Sequence, residues 1–529
     1  MPPTDRDESR FAQASKQMLE SGDYVNIRFQ DQDRLRKPVG IYWLQSISAA
    51  LTGEPAAIWS YRLPSLLAAI AAVLLTFYLG QRLFGYTQAI VAALLLASCL
   101  LLGLEARLAK TDAVLLACIV ISQIVLADLY LRYLQPQGGN SQNEAATTPT
   151  VWPHAWWIFW LAQGLGLLVK GPVAGLISGL TVVALVAVDR QWQWLRPLRA
   201  ARGILILAVL TAPWLIAISL ATDGAFWQAS LSGDMLAKVA SAQESHGAPI
   251  GSYALMFPLT FWPGSVWVLL AIPWVWRHRT EAAVRFCLAW IVPTWLFFEL
   301  LPTKLPHYVL PTFPAIALLT GAAWWADDRP RWPQTYWRWP LGLIWGIPSL
   351  TLALLPVILP LLLKLPVTMI GGVTSAVLVA AAGMIIYALR GNQRQWVMIA
   401  GLVGGLGLSV GFFGNIMPQL TPLWISRTVS EIRGEKSTDL VSVGYAEPSL
   451  VFLLGKNTYL TGNGRNGAEY LIKHKGEQAL VRRDQVPVFL DTLAESGWQA
   501  REQTVINGLN YNKGNWVELV LFNCSALPP

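Results

Sequence analysis

The sequence predicts an all-α polytopic membrane protein with a small C-terminal α/β domain. Three observations carry that expectation. The mean hydropathy is +0.44, and 54% of the residues are hydrophobic against 13% charged, with 26 tryptophans, a balance remote from that of soluble domains. About twelve stretches approach the roughly 20 apolar residues a helix needs to cross a hydrocarbon core about 30 Å thick. From about Ser426 the hydropathy falls, and strand-like and helix-like segments alternate.

Residues 1–62 are expected to form a first outer loop with juxtamembrane amphipathic helices. Asp5-x-x-Glu8 follows Pro2-Pro3 with capping-box spacing, and Phe11, Met18 and Leu19 share one helical face, the pattern of a helix lying at the interface. Residues 63–425 are the transmembrane part, with spans near 63–83, 88–104, 111–131, 155–169, 171–188, 203–221, 253–275, 284–300, 308–326, 341–363, 366–389 and 396–415. Lys170-Gly171-Pro172 marks a tight turn between two short spans. Gly138–Thr150, rich in Gly, Asn, Gln and Thr, reads as a flexible loop. Residues 426–529 form the α/β domain, with strands at 439–445, 457–462, 478–484 and 515–523 and helices at 447–455, 467–476 and 485–497.

The net charge of +8 does not mark a nucleic-acid binder, because the cations sit in short clusters between apolar runs. One alternating set of loops holds Arg82, Arg132, Arg190, Arg196, Arg199, Arg202, Arg277, Arg279, Arg285, Arg329, Arg331, Arg338, Arg390 and Arg394, and the positive-inside rule makes it cytoplasmic. The other set carries single cations beside acids, prolines or histidine and faces outward. Twelve crossings then place both ends of the chain outside. A charged opening stretch on that side is expected to follow an earlier spanning helix, so that Met1 reads as a late start; no cleavable signal peptide is visible. Cys99, Cys118, Cys287 and Cys524 have no metal-ligand spacing and imply no disulfide framework.

The outward loops carry the candidate chemistry. Asp5, Asp7 and Glu8 can cap and solvate a helix or supply a carboxylate. Lys37, before Pro38 and one turn from Tyr42-Trp43, can snorkel to headgroups or join other isolated cations in a phosphate site. Asp112 opens a span, where an acid is favourable in any case. Glu244 and His246 share a polar loop and fit a structural pair, a general base or a metal ligand. "LPTKLPHYVLPTFPAIALL" (301–319) is more specific: Pro302, Pro306, Pro311 and Pro314 force irregular backbone at the membrane edge while presenting Lys304, His307 and Tyr308, and such backbone normally lines a cavity.

"DRDESRFAQASKQMLESGDYV", "RKPVGIYWLQ", "YRLPSLLAAIAAVLLTFYLGQRLFG", "ARLAKTDAVLL", "LVKGPVAG" and "KLPHYVLPTFPAIALL" occur in an order that resembles bacterial membrane glycosyltransferases of the C-type superfamily. The nearest likeness is to the 4-amino-4-deoxy-L-arabinose lipid A transferases and the protein O-mannosyltransferases of glycosyltransferase family 39. The resemblance implies a further helix before the acidic motif, an outward active site and a polyprenyl-phosphate-linked sugar as donor. It gives Asp7 the role of orienting or deprotonating the acceptor hydroxyl and Asp112 that of the second acid. Lys37 would bind the donor phosphate, with Arg10 and Lys304 as further cations. Glu8, Glu244, His246, His307 and Tyr42 are further site candidates. Phe11 replaces a more usual tyrosine, and Arg36 stands where a glutamate is common, which leaves a divalent metal open.

The expected activity is inverting transfer of a sugar to a lipid or cell-envelope acceptor such as lipid A or lipopolysaccharide core. It would take place on the periplasmic side of a bacterial inner membrane, with the C-terminal domain on the same side. Protein O-mannosylation is the alternative within enzymes, and a multi-spanning transporter or flippase the alternative from another class; a scaffold whose soluble domain binds a partner is a third. The outer-loop placement of the charges, and the lack of matching Gly/Pro-broken helices in two halves, favour the enzyme.

Overall fold

A computed structural model describes residues 1–134, 155–230, 247–328, 336, 338–391, 393–434 and 439–527. The first helix, α1 (Asp7–Ser21), places two acids in its first turn and ends at Gly22, whose left-handed φ of 71° lets its N–H close on Met18 O. The capping box does not form. Arg6 occupies the N-cap without a side-chain cap bond, and Glu8 instead accepts the Thr4 N–H and hydroxyl, each at 2.8 Å. A two-residue hairpin, β1 (Arg28–Phe29) with β2 (Gln32–Asp33), precedes α2 (Gly40–Thr52).

The spanning part runs through α3 (Ile58–Leu83), α4 (Tyr86–Ser98), α5 (Leu100–Glu105), α6 (Asp112–Leu134), α7 (Trp156–Lys170), α8 (Val173–Asp189) and α9 (Ala200–Ala221). Further helices cover Ser252–Thr260, Ser265–Arg277, Ala282–Leu300, Phe313–Trp325, Arg338–Leu362, Met369–Arg390 and Arg394–Leu406. Among the described residues eight helices are long and apolar enough to cross a membrane. The other four of the twelve expected stretches fall on shorter helices: 88–104 on α4 and α5, broken at Cys99, which takes extended backbone, and 155–169 on α7, 171–188 on α8 and 253–275 on a helix pair, bounded or broken at Gly171-Pro172 and Pro263-Gly264. The centre of the bundle is α6 and Pro306–Trp325, 78% and 89% buried over their apolar windows, against 17% for α9. Both central segments are apolar around the whole circumference, as a helix surrounded by helices must be.

The C-terminal part builds one sheet in the order β4-β3-β5-β7-β6, from β3 (Leu440–Val443), β4 (Tyr459–Thr461), β5 (Gln478–Arg482), β6 (Trp498–Asn510) and β7 (Asn515–Ala526). The first three strands are parallel and β7 runs against both β5 and β6. Strands β3, β4, β5 and β7 and the three connecting helices lie where the sequence rhythm puts them; β6 is an addition. Its residues read "REQTVINGLN" with little apolar alternation, and it is held by a long hairpin with β7.

This sheet domain rests on the N-terminal segment and the start of α3. Phe452 of the Pro448–Leu454 helix packs edge-on to Tyr61 at 5.6 Å, and Gln30 donates to the Lys456 and Thr458 carbonyls at 2.9 and 2.6 Å. The Asp5 N–H donates to the Tyr511 hydroxyl at 2.7 Å. The loop that carries Asp7 is therefore clamped between the bundle and the sheet.

Candidate active site

Opposite ends of two neighbouring helices meet at the same end of the bundle as that loop. Asp112 is the first residue of α6 and Lys170 the last of α7, each charge at the helix end whose dipole favours it. Lys170 Nζ lies 2.5 Å from Asp112 Oδ1. Gly171 at φ 68° allows the chain to reverse directly into α8. The proline-broken segment after Leu300 forms two short turns, Pro306–Tyr308 and Leu310–Thr312, and brings in His307. The His307 Nδ1 is 3.8 Å from Glu105 Oε1 and its Nε2 is 3.8 Å from Asp112 Oδ1. Those separations are too long for hydrogen bonds, so the ring stands between two carboxylates. The ligand atoms of Glu105, Asp112 and His307 all lie within 4.8 Å of one another.

Glu105 was not singled out from the sequence. It closes the apolar run "LLLGLE" and is 4% exposed, with Oε2 buried and without a hydrogen-bond partner among the described residues. The Asp112 carboxylate sets a like charge across the His307 ring from it. A carboxylate at the end of a spanning run was the signal that could have found it. Burial alone would lower the pKa of Lys110, but Glu105, Asp112, Asp7 and Glu8 raise it and keep the ammonium charged.

Asp7 is exposed on the first turn of α1, close enough for its charge to act on Tyr42, Glu105, Lys110 and His307. Asp7, Asp112 and His307 thus come together although 105 and 195 residues separate them in sequence. Arg10, half-buried, follows Asp7 by three positions on the same face of α1. Lys37 is half-buried just before α2. Lys304 donates to the Leu301 carbonyl at 2.7 Å.

Two other candidates are tied into the scaffold. Glu8 is fully buried in a two-pronged pair with Arg62, at 2.7 and 2.9 Å, and also accepts the Ala109 N–H at 2.9 Å. Burial would raise its carboxyl, but the Arg62 charge and these hydrogen bonds outweigh that and hold it low. Tyr42 is fully buried, accepts from Arg34 Nε at 3.1 Å and packs on Phe11 at 5.3 Å, fastening α2 to α1. Arg34 carried no signal in the sequence beyond its charge, and Arg62 lay within the YRLPSLL motif without a role of its own. Glu244 and His246 lie outside the described residues, as does the Gly138–Thr150 loop.

An apolar crevice of about 620 Å³ runs along the bundle, with Phe257, Trp295, Ile316 and Leu319 among its walls and Arg279 at one end; none of the site residues lines it. It is open to the membrane-facing surface through exposed Leu296 and Ile272.

Comparison with known proteins agrees with the sequence resemblance. The model of the dolichyl-phosphate-mannose-protein mannosyltransferase family matches residues 36–133. The undecaprenyl phosphate-alpha-4-amino-4-deoxy-L-arabinose arabinosyl transferase of Pseudomonas paraeruginosa is 27% identical over 318 residues, which cover 60% of this chain and 55% of that protein. The chain thus spans about half the length of the curated relatives it matches. The crystal structure of ArnT from Cupriavidus metallidurans bound to undecaprenyl phosphate superposes with a TM-score of 0.71 at 19% identity, covering 98% of this chain and 94% of that one. The apo oligosaccharyltransferase of Archaeoglobus fulgidus gives 0.50 at 12% identity, covering 97% and 70%. The fold is that of the C-type membrane glycosyltransferases, with a helical bundle and an appended sheet domain.

Proposed function

We propose, from this fold and this site, that the chain transfers a sugar from a polyprenyl-phosphate donor to a hydroxyl of a lipid or cell-envelope acceptor of the lipid A type. The reaction would take place at the periplasmic face of a bacterial inner membrane. The observation that carries the proposal is the convergence of Asp7 with the Asp112–Lys170 pair and His307 at one end of the bundle. The undecaprenyl phosphate bound by the structurally similar ArnT supports a lipid-linked donor.

In this reading Asp7, exposed and unclaimed by the scaffold contacts that hold Glu8, takes the proton of the acceptor hydroxyl as its oxygen attacks the anomeric carbon. The bond from that carbon to the phosphate oxygen breaks in the same step. The polyprenyl phosphate leaves as an anion, so fixed cations replace a general acid, and Lys37 and Arg10, with Lys304, stabilise the charge that develops. Asp112, held by Lys170, orients the sugar. One displacement inverts the anomeric centre.

Two carboxylates and an imidazole are a donor set that suits a divalent cation. Here, however, Lys170 already occupies Asp112 at 2.5 Å, and the same carboxylates keep Lys110 charged. A cation with two charges would enter beside two ammonium groups, so the displacement is assigned to the side chains alone.

The test is transfer by the purified protein with polyprenyl-phosphate sugars and lipid A. Asp7→Asn should lower the rate about 100-fold or more, and Lys37→Ala should raise the donor concentration needed. Unchanged transfer in Asp7→Asn removes the assignment. Transfer should persist in a chelator; a loss restored by a divalent ion would give Glu105, Asp112 and His307 to a metal. The mannosyltransferase family model is the observation behind a second acceptor class, and label appearing on protein serine or threonine instead of lipid would select it.

A further inference from the structure

Strands β6 and β7 run further than their sheet requires. β7 pairs with β5 only over Leu519–Asn523, whereas it pairs with β6 from Trp498 opposite Ala526 to Asn510 opposite Asn515. Residues 507–510 and 515–518 therefore form a two-stranded arm past the end of β5, about 13 Å long. Two strands alone are marginally stable in water, so such an arm needs a surface to rest on.

Two surfaces hold it. A Cβ at Gly508 would lie 2.8 Å from the Pro422 carbonyl, so β6 is pressed against the segment that leaves the bundle. The tip of the arm meets the residues just before Asp7, and that tip is itself fixed. Buried Glu447 accepts the side-chain amides of Asn510 and Asn512 at 2.8 and 2.9 Å, the Gly514 N–H closes on the Asn510 carbonyl at 2.8 Å, and the Tyr511 ring meets Trp424 edge-on at 6.3 Å. From this tip the Tyr511 hydroxyl accepts the Asp5 N–H at 2.7 Å, and the Asn512 carbonyl accepts from Arg6 Nη2 at 3.4 Å. Ser449, two residues after Glu447, donates its hydroxyl to the Asp5 carboxyl.

These contacts converge on backbone that its own residue does not favour. Arg6 has φ 63° and ψ −112° and stands at the N-cap of α1 without a side-chain cap bond. Residues with a Cβ rarely take positive φ, and they keep it only where the surroundings over-determine it, most often at functional sites. The bundle supplies one anchor: Arg62 donates to the Met1 and Pro2 carbonyls at 2.6 and 2.8 Å, and Glu8 accepts the Thr4 N–H at 2.8 Å. The arm and Ser449 supply the other, at Asp5 and Arg6. Asp7 is the residue between the two anchors.

We propose that the β6–β7 arm of the C-terminal domain positions Asp7, with Tyr511 and Ser449 holding the Arg6 kink from which α1 starts. Both are positioning residues, acting through the Asp5–Arg6 backbone. The inference rests on the role given to Asp7 in the proposed transfer, and it gives the sheet domain a part in that reaction.

The test measures transfer by the full chain in Tyr511→Phe, in Asp7→Asn and in the two combined, with kcat and the donor KM read separately. Tyr511→Phe keeps the ring on Trp424 and removes the hydroxyl; it should lower kcat about tenfold and leave the donor KM unchanged. In the Asp7→Asn background the same change should cause no further loss, because the arm acts through that carboxylate. Amide hydrogen exchange over residues 5–10 should speed up in Tyr511→Phe. Ser449→Ala should give the same pattern if Tyr511→Phe fails to fold. A slow Asp7→Asn beside a normal Tyr511→Phe and a normal Ser449→Ala overturns the positioning role alone, as do losses that multiply in the combined variant or a raised donor KM at unchanged kcat. Transfer unchanged in Asp7→Asn removes the role of Asp7 itself, and this inference with it.

Discussion

Glu8 and Asp7 are neighbours in sequence and opposites in environment. One residue along a helix turns the side chain by about 100°, and that rotation sends Glu8 into Arg62 while Asp7 stays exposed. Removing one partner of a buried pair strands the other charge, at about 3–5 kcal/mol. Arg62→Ala should therefore lower the thermal unfolding midpoint sharply, whereas Asp7→Asn should leave it within experimental scatter; equal effects would mean that the two acids share one role. Asp5 supplies a pH signature at the same scale. Burial, chiefly, raises its carboxyl from 3.8 to about 7, against the Ser449 hydroxyl that donates to it, with Glu447 adding to the rise. The folded chain thus holds a proton that the unfolded chain releases, so the Asp5 contribution is complete below about pH 4 and is lost as pH climbs towards 7. Glu8 runs the other way, its contribution present above 4.5 and lost as pH falls. The difference in unfolding midpoint between wild type and Asp5→Asn should change across pH 4–7, and a constant difference would remove Asp5 as its source.

Between elements, small residues set how closely the helices approach. A Cβ at Gly321 would lie 2.5 Å from the Gln88 carbonyl, and one at Gly80 would lie 2.9 Å from the Ala89 Cα, so α4 is pressed between α3 and the Phe313–Trp325 helix at backbone distance. Close approach of this kind drives association inside a bilayer, where helices gain little from burial against lipid. Gly321→Ala should cost about 1–3 kcal/mol through overpacking and, because that helix follows directly on His307, should also reduce transfer. Thermal unfolding combined with the transfer assay checks both, and an unchanged midpoint would show that the helices yield without cost. Element type was largely legible here. Apolar length gave the spans, proline and glycine gave the turn at Gly171, and short apolar runs between turn residues gave β3, β5 and β7. The polar strand β6 was not legible, because its strand character comes from pairing along β7 and not from its own residues.

At the scale of the whole molecule the sheet domain and the bundle share one small loop, and the candidate site lies at that junction. Gln30, Asp5, Lys16 and Tyr61 all reach the sheet domain from the segment that carries Asp7. The sequence by itself determined the class of fold, the order of its elements, the charge asymmetry of its loops and the motifs holding Asp7, Asp112, Lys37 and His307, because hydropathy, turn chemistry and motif spacing are written locally. Only the tertiary structure decided that Glu8 belongs to Arg62, that Lys170 belongs to Asp112 and that Glu105 joins His307. Those pairings span 54, 58 and 202 residues, and burial, which fixes the charge and the partner of each group, exists only once distant helices have packed.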